Sequence, residues 1–180
     1  MGPAARPSVL LLTGRPGAGK TTVLRRAAER VGARVGGFYT EEIRAGGERR
    51  GFRGVPFDGG EASLIADVAL RGGPRVGRYR VDVAAIDRLA ETTLRPRAGV
   101  HVFFIDEIGK MECLSARFVA ATTALLDTGR LVVATIGLRG SGFISDVKRR
   151  PDVELWEVTR TTRDALPERV VAWVRERLAL

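Results

Sequence analysis

Two stretches of this chain carry residue types that could do chemistry together. In "VFFIDEIGKME" (Val102 to Glu112), four apolar residues run into two adjacent carboxylates, Asp106 and Glu107. A carboxylate pair at the end of a buried strand is costly unless something cationic meets it. In "GRPGAGKT" (Gly14 to Thr21) the spacing is G-x-x-x-x-G-K-[ST], which is that of a phosphate-binding P-loop. Its glycines let successive backbone N–H groups curl around phosphate oxygens, and Pro16 stiffens the loop. The helix expected from Lys20 onward turns its positive end toward the same phosphates. The expected triphosphate cradle is therefore Gly14, Arg15, Pro16, Gly17, Ala18, Gly19, Lys20, Thr21 and Thr22. Lys20 is expected to reach the β- and γ-phosphates, and the Thr21 hydroxyl to hold Mg²⁺.

That metal is the cation the carboxylates need. Asp106 ends an apolar run, as does the strand-end Asp that holds Mg²⁺ beside the Thr in P-loop proteins, so Thr21 and Asp106 are the expected metal ligands. Glu107, one residue on, is expected to leave the regular strand and polarise an attacking water, a role that contributes typically about 10²–10⁴-fold. The competing assignment for Glu107 is an ion pair with Lys110 or an arginine. Charge building up at the γ-phosphate calls for an arginine, and Arg139 in "GLRGSG" (Gly137 to Gly142) is the candidate within the chain. It follows a strand, where ligand sites of α/β folds lie. Arg15 competes for this role, and a plain solvent contact for Arg139 is the bland alternative.

These residues need a scaffold. "SVLLLT" (8–13) reads as a buried parallel strand, and Val23, Leu24, Ala27, Ala28 and Val31 recur at helical spacing up to Gly32. Residues 36–68 read as an antiparallel hairpin insertion, with turns at Gly46-Gly47 and Gly59-Gly60. Residues 72–81 read as loop, then extended chain. A helix is predicted over 83–94 with Asp82 as N-cap, a strand over 100–106, and a helix over 114–127 with Leu114, Phe118, Ala121 and Leu125 inward. A strand over 130–137 and a loop with a short helix over 138–150 follow. Then come an edge strand over 152–158 and a closing helix over 166–180. Alternating strands and helices predict one α/β domain over 1–180, a mainly parallel sheet flanked by helices, with a frayed start at 1–7.

The bulk numbers narrow the classes. With 180 residues, 44% of them hydrophobic, the chain can bury a substantial core. The longest early apolar run, "VLLL", is too short for a membrane span, so a soluble, cytoplasmic monomer with no membrane partner is expected. One cysteine, Cys113, excludes an internal disulfide, and the single histidine, His101, has no metal-ligand spacing around it; both read as structural. The +9 charge admits phosphate-rich partners, but the arginines are scattered, which argues against a nucleic-acid footprint.

The combination "LLLTGRPGAGKTT", "GGFYTEEIRAGGERRGF", "VGRYRVD", "VFFIDEIGKME" and "TRTTRDALP" resembles the THEP1-type nucleoside-triphosphatases, in order and over essentially the whole chain. The resemblance implies a P-loop fold of the additional-strand, catalytic-glutamate type, with a strand between the P-loop strand and the Asp106 strand. It implies Mg²⁺-dependent hydrolysis of ATP, GTP, CTP and UTP to diphosphate and phosphate, and it assigns triphosphate, metal and water to Gly14–Thr21, Asp106 and Glu107. The "LRGSG" segment matches the family's basic lid-like loop. Where the family commonly reads Asn-Arg-Asp, this chain has Thr162-Arg163-Asp164, which leaves Arg163 to stack on the base. Two other functions use the same motifs: a kinase that passes the γ-phosphate to a nucleoside or nucleotide, and a nucleotide-switched module that binds RNA or a protein.

Overall fold

All five residues of β1 (Val9–Thr13) are buried, and alternate ones serve opposite faces of a sheet. Leu10 and Leu12 pack with α1 (Lys20–Arg30) and α5 (Leu166–Leu178); Val9 and Leu11 belong to a second core on the other face. Each such side chain contributes roughly 1.5–3 kcal/mol by leaving water. The structure, a computed structural model, describes residues 6–179. The expected frayed start therefore falls largely outside the described residues, although Arg6 pairs with Glu176 at 3.1 Å and the Pro7 carbonyl accepts from Arg177 Nε at 2.8 Å.

The remaining elements are β2 (Val35–Ala45), β3 (Glu48–Pro56), β4 (Ser63–Asp67), β5 (Arg75–Val76), β6 (Tyr79–Val81), α2 (Val83–Thr93) and β7 (Val102–Ile108). A 3₁₀ turn (Glu112–Leu114), α3 (Ala116–Asp127), β8 (Leu131–Ile136), α4 (Phe143–Lys148) and β9 (Val153–Glu157) follow. The strands form one sheet in the order β5-β6-β4-β3-β2-β7-β8-β1-β9. From β2 to β9 the neighbours run parallel; β3, β4, β6 and β5 extend the sheet antiparallel. β8 lies between β1 and β7, and β9 is the edge strand that its alternating polarity predicts. Residues 36–68 are continuous with the central sheet, because β2 pairs with β7 on one side and β3 on the other. Gly37 permits that contact: its φ is 93°, and a Cβ there would lie 1.9 Å from the Phe104 carbonyl oxygen.

α2, α3 and α4 cover one face and α1 and α5 the other. Asp82 caps α2 as expected, accepting from the Ala85 N–H at 3.0 Å. Three local expectations change. Residues 75–81 form a small hairpin that turns at Gly77. Gly60, unlike Gly59, does not adopt a positive φ. Leu114 is 41% exposed, because α3 starts two residues later, at Ala116, where Ser115 caps it by accepting from the Phe118 N–H at 2.9 Å. The inward face of α3 is then Phe118, Thr122, Leu125 and Leu126.

Candidate active site

The P-loop joins β1 to α1 at the carboxyl ends of the parallel strands. Gly19 caps α1 in the left-handed region with φ 106°, and no side chain occupies the first N–H groups of the helix. Those donors remain available to an anion. Lys20 Nζ curls over the loop and donates to the Gly14 carbonyl at 3.0 Å and the Arg15 carbonyl at 3.4 Å. The loop side chains divide: Gly14, Pro16, Gly17, Gly19, Lys20, Thr21 and Thr22 line a cleft of about 1140 Å³, Ala18 packs into the core, and Arg15 points elsewhere.

Asp106 is 1% exposed on β7. Its Oδ1 accepts from Thr21 Oγ1 at 3.1 Å and Thr135 Oγ1 at 2.7 Å; its Oδ2 accepts from the Thr40 N–H at 3.1 Å and Thr40 Oγ1 at 2.8 Å. The carboxylate is thus held at the P-loop threonine by neutral donors from α1, β2 and β8, and no cation pairs with it among the described residues. Thr40 and Thr135 were not anticipated from the motifs. Their only local signal is a hydroxyl at the end of an apolar strand run, "GGFYT" and "VVAT".

Glu107 remains within β7, where the expectation had it leaving the strand; the register with β8 breaks between Ile105 and Ile108, and Glu107 faces the cleft there. Among the described residues it has neither a hydrogen-bond nor an ion-pair partner, so the pairing with Lys110 or an arginine does not form. Burial raises its pKa, and the nearby Asp106 charge adds to that, while Lys20 opposes both. A raised carboxylate is a better base. Glu112, in the turn after β7, lines the same cleft and is 7% exposed. A Cβ on Gly109 would lie 3.0 Å from Glu112 Oε2 and 3.1 Å from Glu107 Oε1, so the two carboxyls face each other across that glycine.

Arg139 reaches the cleft and has no ion-pair partner among the described residues. Its loop is pinned from α4: Lys148 Nζ donates to the Gly137 carbonyl at 2.6 Å and the Leu138 carbonyl at 3.0 Å. Burial lowers the Lys148 pKa. Arg163 lies against the P-loop, with its Cδ 3.1 Å from where a Gly19 Cβ would be. Thr162 does not line the cleft; its hydroxyl accepts from the Thr159 N–H at 3.0 Å and builds the turn that presents Arg163. His101 is exposed before β7, and Cys113 is half-buried in the 3₁₀ turn rather than in a helix. Burial, first of all, pushes the Cys113 thiol up to about 12, which makes it a poor nucleophile.

Comparison with known proteins gives the family. A family model described as NTPase matches residues 9–171. The nucleoside-triphosphatase THEP1 of Thermofilum pendens is 42% identical, over 87% of this chain and 90% of that protein. The human cancer-related nucleoside-triphosphatase is 37% identical over 92% and 96%. The crystal structure of THEP1 from Aquifex aeolicus superposes with a TM-score of 0.83 at 33% identity, covering 92% of this chain and 98% of the other. The solution structure of the human protein gives 0.79 at 36% identity, covering 96% and 98%. A P-loop beside a buried carboxylate, on a sheet shared along nearly its whole length with these proteins, makes this chain a member of the THEP1-type nucleoside-triphosphatase family.

Proposed function

We propose that the protein hydrolyses nucleoside triphosphates to diphosphate and phosphate, requires Mg²⁺, and tolerates different bases. The observation that carries this reading is Asp106 held against Thr21 at the mouth of the P-loop, with the unpaired carboxylate of Glu107 beside it in one cleft. The donor set fits a hard cation: a hydroxyl and a buried, cation-free carboxylate, all oxygen. Thr21 and Asp106 would hold Mg²⁺, which would supply positive charge to offset that of the phosphate oxygens.

The chain's own groups do the rest. P-loop N–H groups and Lys20 orient the triphosphate. Glu107 takes a proton from water as the water oxygen bonds to the γ-phosphorus and the bond to the β–γ bridging oxygen breaks. Arg139 meets the charge that moves onto the leaving phosphate, and such an arginine is worth about 10³–10⁵ in rate. Arg163 stacks on the base, a contact that every base can satisfy. The scattered arginines, many already paired with acids such as Glu168, Glu41 and Asp127, suit a cytoplasmic monomer that does not depend on nucleic acid. No helix among the described residues is long and apolar enough to cross a membrane.

The deciding experiment measures phosphate release from ATP, GTP, CTP and UTP, with and without Mg²⁺, for the parent and Glu107→Gln. The expected result is metal-dependent release from several bases, reduced about 10²–10⁴-fold in the variant with nucleotide affinity kept. Full turnover by Glu107→Gln would remove the general base from this position. Arg139→Ala should lower kcat with little change in KM, and an unchanged kcat would return Arg139 to solvent.

A further inference from the structure

The nucleotide reading occupies only part of the cleft. Arg163 follows β9, the P-loop follows β1, the Arg139 loop follows β8 and Glu107 is the penultimate residue of β7, which is also their spatial order across the sheet. The cleft continues in the same direction, to Phe52 on β3, Ile65 on β4 and Val76 on β5. Its volume, about 1140 Å³, exceeds the roughly 300–1,000 Å³ typical of a single small-molecule site. On the nucleotide reading, base and triphosphate lie on the near side of Glu107, which leaves the far part of the same cleft as a chamber for another ligand.

That chamber has an apolar wall and a few polar groups. Phe52 is braced by Tyr79 in an edge-on contact, with centroids 5.2 Å apart. Glu112 is nine-tenths buried and lines the chamber, where its carboxyl meets the backbone N–H groups of Glu112 and Gly109 and no side chain among the described residues. Arg49 also lines it; its Nε is buried without a partner, although its Nη2 pairs with Glu42. The acids on the β2 side of the rim are neutralised, since Glu41 pairs with Arg53 at 2.6 Å and Glu42 also pairs with Arg44 at 2.8 Å. Burial holds the Glu112 carboxyl at about 8, so it is protonated at neutral pH and can donate as well as accept. Such a surface favours an uncharged ligand with a flat apolar body and a hydroxyl group.

We propose that this chamber is a second ligand site, which takes a neutral, ring-bearing alcohol of nucleoside size and presents its hydroxyl to the γ-phosphate in place of water. The proposal rests on the nucleotide reading above and goes beyond hydrolysis. The hydroxyl oxygen bonds to the γ-phosphorus while the bond from that phosphorus to the β–γ bridging oxygen breaks. The hydroxyl proton passes to Glu107, and the bridging electron pair leaves with the nucleoside diphosphate. The products are a phosphate monoester and a diphosphate, with no redox change.

The test incubates the full chain with Mg²⁺ and γ-labelled ATP, alone and with millimolar adenosine, guanosine, cytidine or uridine, and counts free phosphate and labelled nucleoside monophosphate. The expected result is labelled monophosphate from at least one nucleoside, formed at the expense of free phosphate. Val76→Trp, which fills the chamber from the edge hairpin, should cut the ratio of transfer to release at least about tenfold. Undiminished phosphate release with no labelled nucleoside would overturn the second site and leave hydrolysis standing. Transfer whose ratio ignores Val76→Trp would overturn its location. Neither release nor transfer would remove the nucleotide reading, and this inference with it.

Discussion

Glu112 ties stability to pH. Burial, reinforced by the Glu107 and Asp106 charges, holds its carboxyl at about 8 against an ordinary 4.5. The unfolded chain releases that proton above pH 4.5, and the fold keeps it up to about 8. The contribution of this group is therefore fully present below pH 4.5, declines as pH rises through that window, and is lost above the folded value. At about 1.4 kcal/mol per pKa unit the loss is on the order of a few kcal/mol. Urea unfolding at pH 5 and pH 9 should show the parent losing more stability than Glu112→Gln; equal losses would refute the coupling. Glu107, also raised, gives catalysis its own acid limb: kcat/KM should fall as pH drops through a pKa above the usual carboxylate range. Asp106, Glu107 and the P-loop residues were legible because their types and spacing are local. Thr40 and Thr135 were not, because the pairings that bring β2 and β8 to Asp106 cross 66 and 29 residues of sequence.

Among the elements, β2 positions the site from the side opposite β8, and Gly37 sets how closely it approaches. Gly37→Ala would place a methyl on the Phe104 carbonyl and strain a φ of 93°. It should destabilise the protein by more than about 2 kcal/mol and weaken nucleotide binding by moving Thr40 off Asp106. A denaturant midpoint equal to the parent's would show that β2 can adjust. The strand–loop–helix unit, the Asp82 cap, the Gly46-Gly47 turn and the β9 edge were all readable, since each rests on short-range periodicity or on one turn residue. The start of α3 was misread because Leu114 continues the helical spacing, whereas the Ser115 hydroxyl decides where the helix begins. The 75–81 hairpin is too short for any period to reveal.

At the scale of the molecule, one sheet carries the whole site, so ligand binding should be felt as global stability. A non-hydrolysable triphosphate at about one hundred times its Kd adds about 2.7 kcal/mol, which for a chain this long raises Tm by roughly 5–10 °C. The rise should shrink without Mg²⁺; a metal-independent shift would argue against Thr21 and Asp106 as its ligands. The interposed strand β8 has one more effect. It sets the backbones of β1 and β7 two strand spacings apart, about 9–10 Å, and the Thr21 and Asp106 side chains reach across that interval to meet at 3.1 Å. Neither strand can shift alone without breaking the sheet. The site is thus a caliper with rigid jaws, its setting at the Thr21–Asp106 contact fixed by the sheet itself.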